Sequence, residues 1–394
     1  MRSILFVAIV TVSACGSTTA PFMPDAEVIT LGAMSVAPAT VATKRGLDKP
    51  TQLTATATLS NGKSVDVTLD ATWTSSDETV AVVSASGLVS VVGAGTTTIT
   101  ANYESTRSTS IVTASSPRIY LADAGGPAIA VFDAFASGDT PPLARIGGSA
   151  TTLSFPWAIA VANDEIYVSD VNASSIDVWA ITATGNVAPS RRIVGALTKL
   201  SANYGLAVYN HEIYVSSDKE VLVFPDTASG NVAPTREIVG ASTGLSYGYS
   251  IEIDQDELYV SATQTTSILV FPANASGNLA PIRKLMGTAE YPLSLVYDFK
   301  VAEGELYVAE LSGIRTYLAA TNGQATPIRY LVGTNTNLNS VIGVNVVGNE
   351  LFTVNFSGGG IHAFPRRASG NTAPIRGIGG AMTTISSPRH QFVY

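Results

Sequence analysis

An all-β fold in two unequal parts, a small sandwich followed by a six-bladed ring of sheets, is what these 394 residues predict. Three observations carry the prediction. Charged residues make up 13% of the chain and hydrophobic residues 46%, so there is apolar surface enough for sizeable cores, and global disorder is excluded. The 34 glycines and 19 prolines are scattered as punctuation, the pattern of a turn-rich β protein. A unit of about 46 residues then repeats from residue 116 onward. The formal net charge of −8 argues against nucleic acid as a partner, because phosphate binding asks for a basic face.

The N-terminus reads as an address. Met1-Arg2 is a short positive start, and the apolar run 4–12 is too short to span a bilayer as a helix. It ends in Val12-Ser13-Ala14-Cys15, which contains the sequence's single cysteine. This tetrapeptide resembles the lipobox of bacterial lipoproteins. The resemblance implies a signal peptide over 1–14, a lipid on Cys15 and a membrane partner through that lipid anchor. Each buried CH₂ of such an anchor contributes about 0.8 kcal/mol. Gly16, where inner-membrane lipoproteins often carry aspartate, points on the same resemblance to the outer membrane or cell surface. The competing reading is an ordinary secretory signal with a stray cysteine. Residues 15–25, small and proline-containing, read as acylated cysteine and tether. With Cys15 acylated, no thiol remains for an intramolecular disulfide.

Residues 26–115 read as about seven short strands. The run 52–59 alternates, Asn61-Gly62 makes a hairpin turn, and Val65-Asp66-Val67-Thr68 resumes the alternation. Trp73-Thr74-Ser75-Ser76-Asp77, Val80-Ala81-Val82-Val83, Ser86-Gly87-Leu88-Val89 and Gly93-Ala94-Gly95-Thr96 follow in order. These elements resemble the bacterial group 2 Ig-like domain, which implies an Ig-like sandwich acting as a spacer, with Trp73 in its core.

The remainder, 116–394, carries the repeat. Gly138, Gly185, Gly230, Gly277, Gly323 and Gly370 recur at intervals of 45–47, each with a proline four residues later. An aromatic inside a β-run recurs at Tyr120, Tyr167, Tyr214, Tyr259, Tyr307 and Phe352. Four short strands per copy and a period in the forties predict a β-propeller. The first copy lacks an inner strand before Arg118, and the stretch 387–394 reads as an inner strand with nothing after it. The C-terminal strand therefore closes the ring, which removes exposed sheet edges. Ile-Tyr-Val-Ser-Asp at 166–170 and the turns at 275–283 and 368–376 resemble six-bladed NHL-like repeats and their secreted bacterial relatives.

Fold does not choose function here: secreted six-bladed propellers include hydrolases, dehydrogenases and binding modules. Glu165, Glu212, Glu257, Glu305 and Glu350 recur in every copy but the first, as do Arg191, Arg236, Arg283, Arg329 and Arg376. Recurrence assigns the acids to turn-making, with the arginines either pairing with them or standing in solvent. The opposite face is where copies differ. Phe155, Trp157, Tyr204, Tyr247, Tyr249 and Tyr291 lie in its loops, and such residues stack on sugars or grip peptides. Trp157, Tyr204, Tyr249 and Tyr291 are the candidate ligand-binding residues, with packing at the blade tops as the competing role. Glu252, Asp298, Lys300, Asn345, Arg389, His390 and Gln391 fall near the channel, where buried charges need partners. Glu252, Asp298, Lys300 and His390 are the candidate catalytic groups, since a carboxylate beside a lysine or histidine can act as general base.

No metal site is expected from the three histidines, His211, His362 and His390, which occupy non-equivalent positions in their repeats. The paired histidines of streptogramin lyase-like enzymes, a Gly-x-Ser-x-Gly elbow and a phosphate-binding loop are all missing. No cofactor is implied, although Ca²⁺ held by carboxylates and carbonyls stays open. The balance favours a cell-envelope binding or scaffolding module engaging carbohydrate, envelope polymer or protein. A lactonase- or lyase-like hydrolase at the channel mouth and a purely architectural spacer are the alternatives.

Overall fold

The computed structural model describes residues 29–358 and 360–394. Cys15 and the lipobox-like segment lie outside the described residues. Among the described residues no helix is long and apolar enough to cross a membrane.

The first part is a sandwich. Leu31–Ala37, Thr54–Leu59 and Ser64–Asp66 form one sheet; Thr40–Lys44, Thr106–Ser115, Gly95–Tyr103 and Thr72–Ser75 form the facing one. Alternation puts Ala55, Ala57, Ile99, Ala101 and Val112 inward around Trp73, whose indole N–H donates to the Thr68 carbonyl at 2.9 Å. The indole is thus a core residue with its polar atom satisfied. Gly93 is required by close approach, since a Cβ there would sit 2.2 Å from the Thr79 carbonyl oxygen.

Only Ser116 and Pro117 separate the last sandwich strand from Arg118–Asp123, the second strand of blade 1. Six sheets follow around one axis, antiparallel except where Gly323–Ala325 joins the outer strand of blade 4 in parallel. Blade 2 is typical, running from axis to rim as Pro156–Ala162, Glu165–Asp170, Ser175–Ala180 and Arg191–Val194. The inner strands of blades 3 to 6 are Asn203–Tyr209, Ile251–Asp254, Asp298–Ala302 and Val341–Val347. Blade 1 takes its inner strand, Pro388–Val393, from the C-terminus, where it pairs antiparallel with Arg118–Asp123. The ring is therefore closed by the C-terminal strand, as the sequence predicts. Apolar clusters fill each inter-blade space, with Tyr167, Tyr214, Tyr259 and Tyr307 fully buried there.

The repeated turn glycine has a definite task. Gly277 adopts φ 82°, with open space around its Cα, so it is chosen for backbone conformation. Its N–H donates to the Glu237 carbonyl of the preceding blade's outer strand at 2.6 Å. Asn278, next in the motif, accepts from Ser242 N–H at 2.8 Å. The same pair of bonds recurs at Gly185-Asn186, Gly230-Asn231 and Gly370-Asn371, so the motif staples each blade to its predecessor.

Candidate functional site

The six inner strands begin on the same face of the ring, and their register places equivalent side chains in layers around the axis. The uppermost layer consists of Trp157, Tyr204, Tyr249, Tyr297, Ile342 and Arg389, one from each blade. In blades 1, 2, 3 and 6 a pairing irregularity follows this position, as between Pro156 and Ile159 or Asn203 and Gly205. Such a bulge re-aims side chains. Strict alternation would put every second residue on the axis. The bulge gives the axis two neighbouring layers, the second being Ala158, Gly205, Ser250, Asp298, Gly343 and His390. A third layer lies two residues further on and contains Ala160, Ala207, Glu252, Lys300, Asn345 and Phe392.

Four residues of the uppermost layer are aromatic and touch in series. Trp157 meets Tyr204 edge-on with ring centroids 5.0 Å apart and stacks on Tyr249 at 5.8 Å. Tyr249 is 4.8 Å from Tyr204 and 5.5 Å from Tyr297, and Phe155 adds itself to Trp157 at 5.9 Å. These rings are half-buried, and around them Tyr247, Leu295 and Phe356 are each 40% exposed. The result is an aromatic mouth over the axis. Burial raises the phenol pKa of Tyr249, so its hydroxyl stays neutral and able to donate.

The loops that carry this mouth are held from below by buried acids at the ends of second strands. Asp170, fully buried, accepts from the amides of Ser154 at 2.5 Å and Phe155 at 3.0 Å. Asp123 accepts from Ser387 N–H at 2.7 Å and Ser386 N–H at 3.0 Å, just before Arg389. Carboxylates that take several amide bonds make rigid anchors, so the mouth is built on fixed loops.

Beneath the mouth the candidate catalytic groups come together. Lys300 Nζ pairs with Glu252, and Asp298 accepts from Ser250 Oγ at 2.7 Å and from Val344 N–H at 2.8 Å. His390 Nε2 lies 3.5 Å from Asp298 Oδ1. Ile159 N–H donates to His390 Nδ1 at 3.4 Å, which leaves the ring proton on Nε2, facing the carboxylate. Burial pushes the Glu252 carboxyl up, against the downward pull of Lys300. The cavity that Glu252, Lys300, Asn345 and His390 help to line measures about 110 Å³. Ligand pockets usually run from roughly 300 Å³ upward, so this space suits a few waters better than a substrate.

Three sequence placements change. Gln391 is not a channel residue: it occupies the layer of Ile159, Leu206, Ile251, Phe299 and Val344, fully buried, and its amide has no hydrogen-bond partner among the described residues. The bulge beside it moves Arg389 and His390 to the axis and turns Gln391 into the core. Arg389 belongs to the mouth and not to the channel plug. Tyr291 stands apart from the four-ring cluster, with the guanidinium of Arg315 6.0 Å from its ring. Tyr297, Phe356 and the mouth position of Arg389 escape sequence reasoning, because only the aligned first residues of the inner strands would have grouped them.

The opposite face repeats one arrangement in five of the six blades. Arg191, Arg236, Arg283, Arg329 and Arg376 each pair with the glutamate of their own blade, and Tyr167, Tyr214, Tyr259 and Tyr307 donate to that same glutamate. Of the two states left open for the arginines, pairing is the one observed.

Residues 32–113 match the bacterial Ig-like domain (group 2) family. Ice-binding protein 1 of Shewanella frigidimarina (strain NCIMB 400) is 42% identical over 93 residues, which are 24% of this chain and 10% of that protein. The chain thus spans about a tenth of the curated relative it matches. Among solved structures, a chain in the crystal structure of a nidogen/laminin complex covers 70% of this chain and 98% of its own length, with a TM-score of 0.53 and 13% identity. A putative 6-phosphogluconolactonase from Bacteroides uniformis ATCC 8492 covers 87% and 95%, with a TM-score of 0.46 and 13% identity. Likeness at these identities is of fold alone. A bacterial Ig-like domain joined to a β-propeller suggests a surface or extracellular binding or scaffolding module.

Proposed function

We propose that the propeller binds carbohydrate at its aromatic mouth, with the Ig-like domain as a spacer and a lipid on Cys15 tethering the chain to the outer membrane or cell surface. The observation that carries this reading is the uppermost axial layer, where four blades independently supply Trp157, Tyr204, Tyr249 and Tyr297. Half-buried aromatic rings beside phenolic hydroxyls match the alternating C–H and O–H surfaces of a pyranose. Envelope polymers built of sugars fall within this class, and a protein ligand is the second candidate. NHL-like repeats are the proposed affiliation of the blades.

A hydrolase working from Asp298 and His390 has geometry in its favour, because the two groups face each other across the channel. The small cavity and the pairing of Lys300 with Glu252 weigh against it. The test is glycan binding by the full chain and by a Trp157→Ala/Tyr204→Ala/Tyr249→Ala variant, read by isothermal titration. Loss of binding with an unchanged thermal transition is expected, and binding at wild-type strength would overturn the site.

A further inference from the structure

Arg389 is the anomaly of the mouth. Eight of the propeller's twelve arginines, Arg191, Arg192, Arg236, Arg283, Arg315, Arg329, Arg366 and Arg376, have a carboxylate within 4.0 Å, and Arg389 is the unpaired one that stands in the mouth. Arg389, half-buried, has neither a carboxylate in that range nor any hydrogen-bond acceptor among the described residues; its Nε is buried without a partner, as are those of Arg191, Arg283, Arg315, Arg329 and Arg376. It is held instead by rings: its Cζ lies 4.9 Å from the centroids of Phe155 and Trp157 and 4.7 Å from that of Phe356. Aromatic faces fix a guanidinium plane without using its N–H donors. Desolvation lowers the Arg389 pKa, outweighing the opposite pull of Asp123 and Tyr297. Yet a guanidinium remains charged throughout the ordinary pH range.

A fixed, charged fork with unspent donors at the edge of a sugar-binding surface is a receptor for a planar anion. We propose that the mouth selects an acidic sugar, a uronic-acid unit whose carboxylate takes the Arg389 guanidinium while its ring lies against Trp157 and Tyr249. The proposal rests on the carbohydrate reading above and adds the chemical class of the sugar. The chain's net charge of −8 bears on the form of recognition. An acidic protein gains nothing from a polyanion at long range, so one carboxylate is read at one cation, and a short oligouronide suffices as ligand. Tyr204, Tyr249 and Tyr297 hydroxyls, none bonded to a protein acceptor among the described residues, remain for the sugar hydroxyls.

The experiment is isothermal titration of the full chain with trigalacturonate and with its neutral counterpart, a galactose trimer. The acidic trimer should bind at least tenfold more tightly, Arg389→Gln should bring the two trimers to equal affinity, and Arg389→Lys should fall between. A thermal melt of each variant separates lost folding from lost recognition. Equal binding of the two trimers by the wild-type chain overturns the acidic preference and leaves the carbohydrate reading standing. Binding of neither defeats both. Competition by a short peptide with a free C-terminal carboxylate, at the affinity of trigalacturonate, would overturn the sugar in favour of a protein end.

Discussion

The two faces of the propeller are made by opposite ends of the same strands, yet they are chemically unlike. On the face of the glutamate turns, five blades repeat one arrangement: a glutamate at the start of the second strand, an aromatic two residues on, and an outer-strand arginine paired to the acid. On the other face six blades contribute one tryptophan, three tyrosines, an isoleucine and an arginine to a single layer. A residue that recurs in five blades of six answers a need those blades share, here the joining of the second strand to the rim. A layer whose members differ answers no such need. The difference separates what holds the ring from what the ring presents.

Breaking the frame itself should have the largest effect. Deleting residues 388–394 removes the inner strand of blade 1, exposes the edge of Arg118–Asp123, and takes Arg389 and His390 away together. An open sheet edge with an uncovered apolar flank invites association. Loss of a cooperative thermal transition for the propeller, with self-association seen on size-exclusion chromatography, is the expected outcome. A truncated chain that melted within a few degrees of the intact one would show that closure is not what holds the ring.

The next test sets one face against the other. Glu305 receives Arg329 Nη2 at 2.6 Å and the Tyr307 hydroxyl at 2.5 Å, and Arg366 lies 3.9 Å away. Glu305→Ala leaves the largely buried Arg329 guanidinium without its carboxylate, while Arg366 keeps its pairing with Glu303, and stranded buried charge is costly. We expect a loss of about 2–3 kcal/mol in stability, between the ranges for buried and surface pairs, with glycan affinity of the folded fraction unchanged. Tyr249→Ala should do the reverse, lowering affinity more than tenfold while shifting the thermal midpoint little. Urea unfolding and titration calorimetry on both variants read the comparison directly, and matching effects on both quantities would erase it.

Most of the frame was legible in the sequence, because it is written six times. The period, the closing strand and the outer-strand arginines all rest on repetition, and the Gly-Asn turn recurs because each blade must be stapled to the one before it. The mouth was legible only in part. Trp157, Tyr204 and Tyr249 stood out as aromatics in unlike loops, but their grouping with Tyr297 and Arg389 depends on an inner-strand bulge. A bulge leaves no composition signal, and it shifts which of two neighbouring side chains meets the axis. That is why Gln391, read as a channel residue, is a core residue, and why Tyr291, aromatic and in a variable loop, lies outside the cluster.

Acid offers the smallest and most graded way to sharpen the contrast. Hydrogen bonds from Arg191, Arg283 and Arg329 hold the carboxyls of Glu165, Glu257 and Glu305 below their ordinary values, outweighing a modest desolvation that acts the other way. A carboxyl whose folded-state pKa is depressed contributes stability that is complete above its unfolded value, roughly 4.3 for glutamate. That contribution fades as pH falls through the unfolded value toward the lowered folded ones. The part of the urea midpoint that these pairs supply, read as the difference between wild type and Glu165→Gln/Glu257→Gln, should therefore be level from neutrality to about pH 5 and shrink below it, whatever raised carboxyls such as Glu252 add to both curves. The mouth holds no carboxylate in its aromatic layer, so affinity for a neutral sugar should stay constant across the same window as long as the chain is folded. Binding that fell in step with stability would mean the two faces are coupled through the blades, and the division drawn between them would not hold.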